Sequence, residues 1–249
     1  MKVSIITVVK NNEDKIEKCI NSVINQSYKD IEYIIIDGNS SDNTKSIIQK
    51  YKNQIDILLS EKDNGIWDAM NKGINLATGD IIGFLNSDDF YYPNAIQTIV
   101  QYFNQKKIDF LFGTVKKYKL MHKFNPKIIK WSFGFYTSHS VGFFIKLKKH
   151  KEIGMYNSKF LSADLDFFYR MIIDYKCYGL NTKKNEVIGE FSKGGYSSTI
   201  NYIDHLKDLN QIRISNNQNK FFVYFLYLVK ICKRPIKFIK AFFSKLQNS

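Results

Sequence analysis

The residues with the clearest capacity for chemistry end the stretch "GDIIGFLNSDDF", residues 79–90. Ile81, Ile82, Phe84 and Leu85 form an apolar run that empties into Asn86, Ser87, Asp88 and Asp89. Adjacent carboxylates repel, and burying them is costly unless something neutralises them. A hard cation such as Mg2+ or Mn2+ takes oxygen ligands, often one or two carboxylates plus substrate phosphates. Asp88 and Asp89 are therefore candidate metal ligands, and whichever misses the metal can accept from a sugar hydroxyl. The competing assignment makes Asp89 a cap for the segment that starts near Pro93. Asp37 closes a second apolar run, just before Gly38. It either accepts from a base or ribose or starts an Asx turn.

These residues need a frame to hold them, and the chain alternates to supply one. "VSIITVV" (3–9), "IEYIIID" (31–37), "DILLS" (56–60) and the run before Asn86 read as buried strands. Between them, residues 13–26, 43–52 and 66–77 carry apolar residues at helical spacing, as does the stretch through Ile96, Ile99, Val100 and Phe103. Such alternation predicts an α/β fold, a mostly parallel sheet with helices on both faces. Ligands bind such sheets outside the carboxyl ends of the strands. There lie "KNNED", "DGNSSDNT", "EKDNG" and "NSDDF", each holding a carboxylate. In "SSDNT", Ser41 or Asp42 reads as the cap of the next helix. Neither a G-x-G-x-x-G nor a P-loop pattern occurs, so a bound pyrophosphate would need another source of positive charge, most simply a metal ion.

The 249 residues carry a formal charge of +14, with 37 Lys and Arg against 23 Asp and Glu. That balance suggests an anionic partner. A nucleic-acid module is disfavoured: carboxylates at the strand ends would repel phosphate, and no basic sheet face interleaved with aromatics is evident. The three cysteines, Cys19, Cys177 and Cys232, lack metal-ligand spacing and fit a reducing compartment. The apolar run at the N-terminus is too short for a signal peptide and reads as the first strand. From Lys220 onward there are seven basic residues and no acidic one. Ile236, Ile239, Phe242, Phe243 and Leu246 recur at helical spacing among those lysines. Residues 220–249 therefore read either as a basic amphipathic tail on a membrane surface or as a helix packed on the domain. "FFVYFLYLV" (221–229) is too short to span, since a crossing helix needs about 20 apolar residues.

"VSIITVVKNN", "IEYIIIDGNSSDNT", "SEKDNGIWDAMNKGINLATGDIIGFLNSDD" and "SADLDFFYRM" occur in that order. Together they resemble the family 2 glycosyltransferases of GT-A fold, over roughly residues 1–200, and especially the branch that builds bacterial surface polysaccharides. The resemblance implies a GT-A, Rossmann-like domain over 1–219, with a nucleotide-binding half (1–115), an acceptor half (116–219) and a helical tail. It implies metal-dependent, inverting transfer from a nucleotide-sugar, usually a UDP-sugar, to a glycan or lipid-linked acceptor. By position, Thr7 and the Val8–Asn11 loop, Val9 included, would line the nucleobase site. Asp37, Glu61 and Asp63 would lie at the uridine, and Asp68 and Lys72 in the donor pocket. Asp88, with Asp89 beside it, takes the place of the family's D-x-D element, Asn86 replacing its first aspartate. Asp164 matches the family's catalytic base, although on the residues alone it reads as an N-cap before Leu165, Phe168, Met171 and Ile172. Asp166 ranks second. His139 would sit near the acceptor or serve structure, and Lys193, beside Gly194 and Gly195, would reach the diphosphate or occupy a plain turn. Trp67 and Trp131 would stack on sugars or fill the core. The expected location is the cytoplasmic face of the cell membrane. The alternative, a nucleotidyltransferase acting on a sugar phosphate, is disfavoured because "KNNEDK" lacks the glycines of a phosphate loop.

Overall fold

The computed structural model describes residues 1–137, 140–192, 195 and 200–247. The four apolar runs form β1 (Val3–Val9), β2 (Ile31–Asp37), β3 (Ile57–Ser60) and β4 (Ile81–Asn86). They pair in parallel, β4 and β2 flanking β1 and β3 outside β2. The connections are α1 (Ile16–Ile24), α2 (Thr44–Lys50) and α3 (Ile66–Leu76). Next come β5 (Phe90–Tyr91), α4 (Ala95–Gln105), β6 (Phe110–Phe112), β7 (Thr114–Lys116) and β8 (Leu120–Met121). They lead to β9 (Phe143–Lys146), α5 (Leu147–Ile153), α6 (Ala163–Tyr169), β10 (Gly179–Asn181) and β11 (Val187–Glu190). Three helices close the chain: α7 (Tyr202–Ser215), α8 (Lys220–Lys233) and α9 (Pro235–Gln247).

The main sheet has the order β10-β6-β9-β4-β1-β2-β3. It is mostly parallel, with β9 inserted antiparallel between β4 and β6. A second sheet, β5-β11-β7-β8, covers one end. Because strand side chains alternate, β1 feeds two cores. Ile6 and Val8 pack with α3 and α6, while Val3, Ile5 and Val9 pack with α1 and α4. Helices thus cover both faces, as the α/β reading requires.

Local hydrogen bonds account for the shifted boundaries. The first helix, expected from residue 13, begins at Ile16 because the Asn12 and Glu13 amides donate to Thr44 Oγ1 (2.8 Å) and Asp42 Oδ2 (3.2 Å). Asn43 occupies the N-cap position of α2, and Asp42 Oδ1 accepts from the Thr44 amide at 3.0 Å. Asn94, not Asp89, precedes α4, so the capping alternative for Asp89 is excluded.

α3 rests on β1 through Gly73, where an added Cβ would lie 2.4 Å from Ile6 Cγ2. Gly73→Ala gains about 1 kcal/mol of helix propensity, but overpacking costs about 1–3 kcal/mol. A lower melting temperature is expected. An unchanged one would mean that α3 has room to shift on the sheet.

The tail is two helices. The break falls at Pro235, whose ring disfavours helical geometry in the preceding residue, and Arg234 adopts φ −142°, ψ 55°. Both helices pack back on α7, burying Val223, Leu226 and Ala241. Lys245 pairs with Asp204. Their outer faces remain apolar: Phe221, Tyr224, Phe225 and Leu228 on α8, and Ile236, Ile239, Phe242, Phe243 and Leu246 on α9, are exposed. Among the described residues, no helix is long and apolar enough to cross a membrane.

Candidate active site

A cavity of about 880 Å3 opens where β1 and β4 end. β1 and its loop supply Val8, Val9, Asn11 and Asn12, and β4 supplies Asn86, Ser87 and Asp88. Asp63, Trp67 and Met70 form another wall, and Tyr136, Asp164, Leu165 and Phe168 a third. Lys10, Lys15 and Lys237 bring positive charge to the same space. Such a wall suits an anionic ligand bound beside the carboxylates of Asp63, Asp88 and Asp164.

Several expected site residues lie behind this wall. Thr7 shares the strand face of Ile5 and Val9; it is fully buried, with its hydroxyl 3.2 Å from Tyr33 Oη. The expected contact with a nucleobase is therefore corrected for Thr7. Asp37 is also buried, and its carboxylate accepts from the Ser40 amide (3.1 Å), Ser40 Oγ (2.5 Å) and Ser60 Oγ (2.5 Å). Ser40 Oγ in turn accepts from the Asn11 amide at 2.8 Å. Asp37 thus holds the loop that carries Asn11, a residue with φ 49°. Asn12 Nδ2 donates to Ser87 Oγ at 2.7 Å, tying that loop to the end of β4.

Glu61, Asp68 and Lys72 also stand off the cavity wall. Lys72 Nζ lies 2.8 Å from Glu61 and 3.4 Å from Asp68. Asp68 Oδ2 accepts from the Asn64 amide at 3.0 Å. Their charges are spent on each other, and the network holds the loop that presents Asp63 and Gly65 to the cavity. His139 and Lys193 lie outside the described residues.

Asp164 sits in the first turn of α6, with Ser162 rather than Asp164 at the N-cap position. Its Oδ2 accepts from the Tyr136 hydroxyl at 3.1 Å. Burial pushes its carboxyl up to about 6, against the pull of that hydroxyl and of the helix amides. A carboxylate that titrates near neutrality at a cavity wall suits a general base. Asp166 has another job. It is buried, pairs with Arg170 at 3.0 Å and accepts from Asn216 Nδ2 at 2.9 Å. Removing the Tyr136 hydroxyl removes a bond that favours the ionised Asp164 carboxylate. In Tyr136→Phe, the acid limb of kcat/KM is expected to move up by about one pH unit. A limb that stays in place while turnover persists would separate Tyr136 from the group that sets that limb.

Asp88 and Asp89 have different surroundings. Asp88 lines the cavity, and a Cβ added at Gly195 would come within 3.1 Å of its Oδ2. Asp89 lies behind, buried, with Oδ1 accepting from the Ser192 amide at 2.8 Å. Burial, and then the Asp88 charge, push the Asp89 carboxyl up to about 8. Asp89 Oδ2 and Asn86 Oδ1 are buried with no hydrogen-bond partner among the described residues. No cluster of three or more His, Cys, Asp or Glu able to hold a metal occurs among the described residues. One carboxylate on the cavity and a second behind it do not form a closed cage. They do fit a hard cation that completes its shell with phosphate oxygens and water.

Tyr136 and Lys237 are additions that sequence reasoning missed. Tyr136 lies in "GFYTS" without a periodic pattern, and Lys237 reaches the cavity only because α9 folds back. Trp67 lines the cavity and donates to the Leu161 carbonyl at 3.1 Å. Trp131 is exposed and lies edge-on to Phe222.

The sequence profile of glycosyl transferase family 2 matches residues 4–172. A GalNAc(5)-diNAcBac-PP-undecaprenol beta-1,3-glucosyltransferase of Campylobacter jejuni is 26% identical over an alignment 275 positions long, gaps included, that covers 98% of this chain and 88% of that protein. The poly(ribitol-phosphate) beta-N-acetylglucosaminyltransferase TarP of Staphylococcus aureus is 34% identical over 117 residues, 45% of this chain and 36% of TarP. With the glycosyltransferase GlyG of Streptococcus pneumoniae, 29% identical, the match spans 40% of the relative's length. Among solved structures, S. aureus TarS bound to UDP-GlcNAc superposes with a TM-score of 0.68 at 17% identity, covering 91% of this chain and 70% of TarS. A Pyrobaculum calidifontis mannosyltransferase bound to GDP-Man and Mn2+ gives 0.70 at 16% identity, covering 100% and 76%. These two likenesses establish the fold.

Proposed function

The chain belongs to glycosyl transferase family 2, and from that premise we propose an inverting, metal-dependent transfer of a sugar from a nucleotide-sugar, a UDP-sugar first among the candidates. The acceptor is a lipid-linked glycan, the class given in the name of the Campylobacter relative, and that relative aligns along nearly the whole chain; we place the product in a cell-surface polysaccharide. The observation that carries the reading is that Asp88 and Asp164 line the same cavity, with lysines on its wall. Family membership sets aside the nucleotidyltransferase alternative.

The chain's own residues divide the work. The loop around Asn11 and Asn12, held through Ser40 by Asp37, positions the nucleoside. Lys10 and Lys15 attract the diphosphate. Asp164 accepts the proton of the acceptor hydroxyl as that oxygen bonds to the anomeric carbon. The bond from the anomeric carbon to the diphosphate oxygen breaks, and its electron pair leaves with the nucleoside diphosphate. Attack opposite the leaving group inverts the centre, so no covalent enzyme intermediate is needed. Mg2+ or Mn2+ held by Asp88, with Asp89 behind it, would stabilise the negative charge of the departing diphosphate.

The test is release of nucleoside diphosphate from UDP-GlcNAc, UDP-glucose and GDP-mannose, with Mn2+ or Mg2+ and again with EDTA, alongside calorimetric titration of UDP. Metal-dependent binding and turnover support the proposal; absence of UDP binding with metal present would end it.

We also propose peripheral attachment to the cytoplasmic face of the membrane through α8 and α9. Their exposed aromatics and the exposed Lys220 and Lys240 favour an anionic leaflet, each cation adding about 1 kcal/mol near the surface. The protein is expected to sediment with vesicles containing phosphatidylglycerol and to be released as salt rises. Equal recovery in the supernatant with and without vesicles would exclude this attachment.

A further inference from the structure

A second cavity, of about 830 Å3, lies among the 131–137 segment, α7 and α8. Its wall is mainly apolar, with Phe133, Leu206, Leu209 and Leu226. At the C-terminal end of α8 it is lined by Lys230, Lys233 and Arg234, and by no Asp or Glu. None of these three cations is ion-paired among the described residues. Cations commonly complement a helix C-terminus, and that suffices for the exposed Lys233 and Arg234. It does not explain Lys230, which is half-buried beside the cavity. Burial, and then Arg213, push its ammonium down to about 8. A charge kept in such surroundings is costly unless an anion joins it. Thr137 Oγ1, on the same wall, is also buried without a partner among the described residues.

The surroundings specify what that anion carries. Phe225, on the cavity wall, belongs to the exposed stripe of Phe221, Tyr224 and Leu228 along α8. A hydrocarbon chain leaving the cavity would therefore stay on apolar surface. Tyr136, Leu165, Tyr202 and His205 line both cavities, so the second opens beside the base.

We propose that the second cavity seats the phosphate end of a lipid-phosphate acceptor, its phosphate or diphosphate against Lys230, Lys233 and Arg234 and its chain along α8. This rests on the transferase reading of the first cavity and deepens it. The shared wall puts the reacting hydroxyl close to the lipid phosphate, so within the lipid-linked class this acceptor carries a shorter glycan than the GalNAc(5)-diNAcBac unit in the Campylobacter relative's name. The reaction supplying this acceptor is then the transfer of a sugar phosphate onto a lipid phosphate.

The test is calorimetric titration of the full chain with farnesyl diphosphate in EDTA, which prevents metal-bridged binding in the donor site. Farnesol, inorganic diphosphate and short-chain phosphatidylglycerol serve as comparisons. Farnesyl diphosphate is expected to bind at least about tenfold more tightly than any of them, and Lys230→Gln to lose about tenfold, the scale of a hydrogen bond to a charged group. Arg234→Gln, a change at an exposed position, should weaken binding in the same direction. UDP titrated with Mg2+ into the same variants reports both folding and the donor site. Equal binding of farnesol would reduce the cavity to an apolar groove. Equal binding of phosphatidylglycerol would assign it to bulk membrane lipid. Unchanged farnesyl diphosphate affinity in both variants would remove the basic cluster from the site. Any of these overturns the proposal while UDP binding stands; loss of UDP binding by the wild type would instead strike the transferase reading.

Discussion

Asp164→Asn is expected to lower kcat by about a thousandfold, within the range of a positioned general base, while UDP affinity is retained and the melting temperature at neutral pH rises. The two changes have one cause. Burial holds the Asp164 carboxyl at about 6, above the roughly 3.9 of a free aspartate. Between those values the native state binds more protons than the unfolded chain, so this group's contribution falls as pH rises through the window. Above about pH 6, the ionised carboxylate costs up to about 3 kcal/mol, the free-energy equivalent of that displacement. Asn removes that cost while keeping an oxygen that can accept from Tyr136. The stabilisation should be largest at neutral pH and fade below about pH 4. Wild-type kcat/KM should climb through pH 6 as the base ionises. A variant that keeps a tenth of the activity, or that melts below the wild type at neutral pH, would return Asp164 to the helix-start role suggested by its sequence setting.

The readable and unreadable parts of this molecule differ in the range of the contacts that decide them. β1, β2 and β4 are buried on both faces, so each announces itself as an apolar run. α3 and α4 carry one apolar stripe each, and their spacing is enough to place them. The antiparallel insertion of β9 between β4 and β6 is settled by pairing between distant segments, and "FFIK" carries no mark of direction. The site shows the same divide. Asp88 stands out because paired carboxylates at a strand end need a reason, whereas Asp164 reads as an N-cap on the residues alone and only the resemblance gives it another role. Thr7 was misplaced by strand parity: one position along, Val8 faces the cavity, while Thr7 turns toward Tyr33 and Cys19. Glu61, Asp68 and Lys72 are placed at the donor by the resemblance alone, and only the folded chain reveals that they answer one another. The tail's basic, aromatic composition identified its outer face, but its return onto α7 rests on long-range packing: α8 brings Lys230 to the second cavity, and the break at Pro235 lets α9 fold back and bring Lys237 to the first.

The carboxylates at the end of β4 can be separated experimentally because they are not equivalent. Asp88→Asn should reduce UDP affinity in Mg2+ or Mn2+ to its EDTA level and lower turnover by about 100- to 1,000-fold, the scale of a lost electrostatic stabiliser. Asp88 is on the cavity wall, where it would hold an ion that stabilises the diphosphate. Asp89→Asn should have a smaller effect on metal-dependent binding. Its Oδ1 is engaged by the Ser192 amide, a bond that Asn can keep. Ser192 also donates its hydroxyl to the Asp88 carbonyl, so Asp89 helps hold the strand end against the segment leading to Gly195. Asp89→Ala, which removes the acceptor, should instead lower thermal stability and weaken UDP binding with or without metal, because a disordered strand end affects both states alike. Equal losses of metal-dependent binding in Asp88→Asn and Asp89→Asn would show that both carboxylates hold the ion. That outcome would give Asp89 Oδ2, buried and unpartnered among the described residues, its partner in the metal.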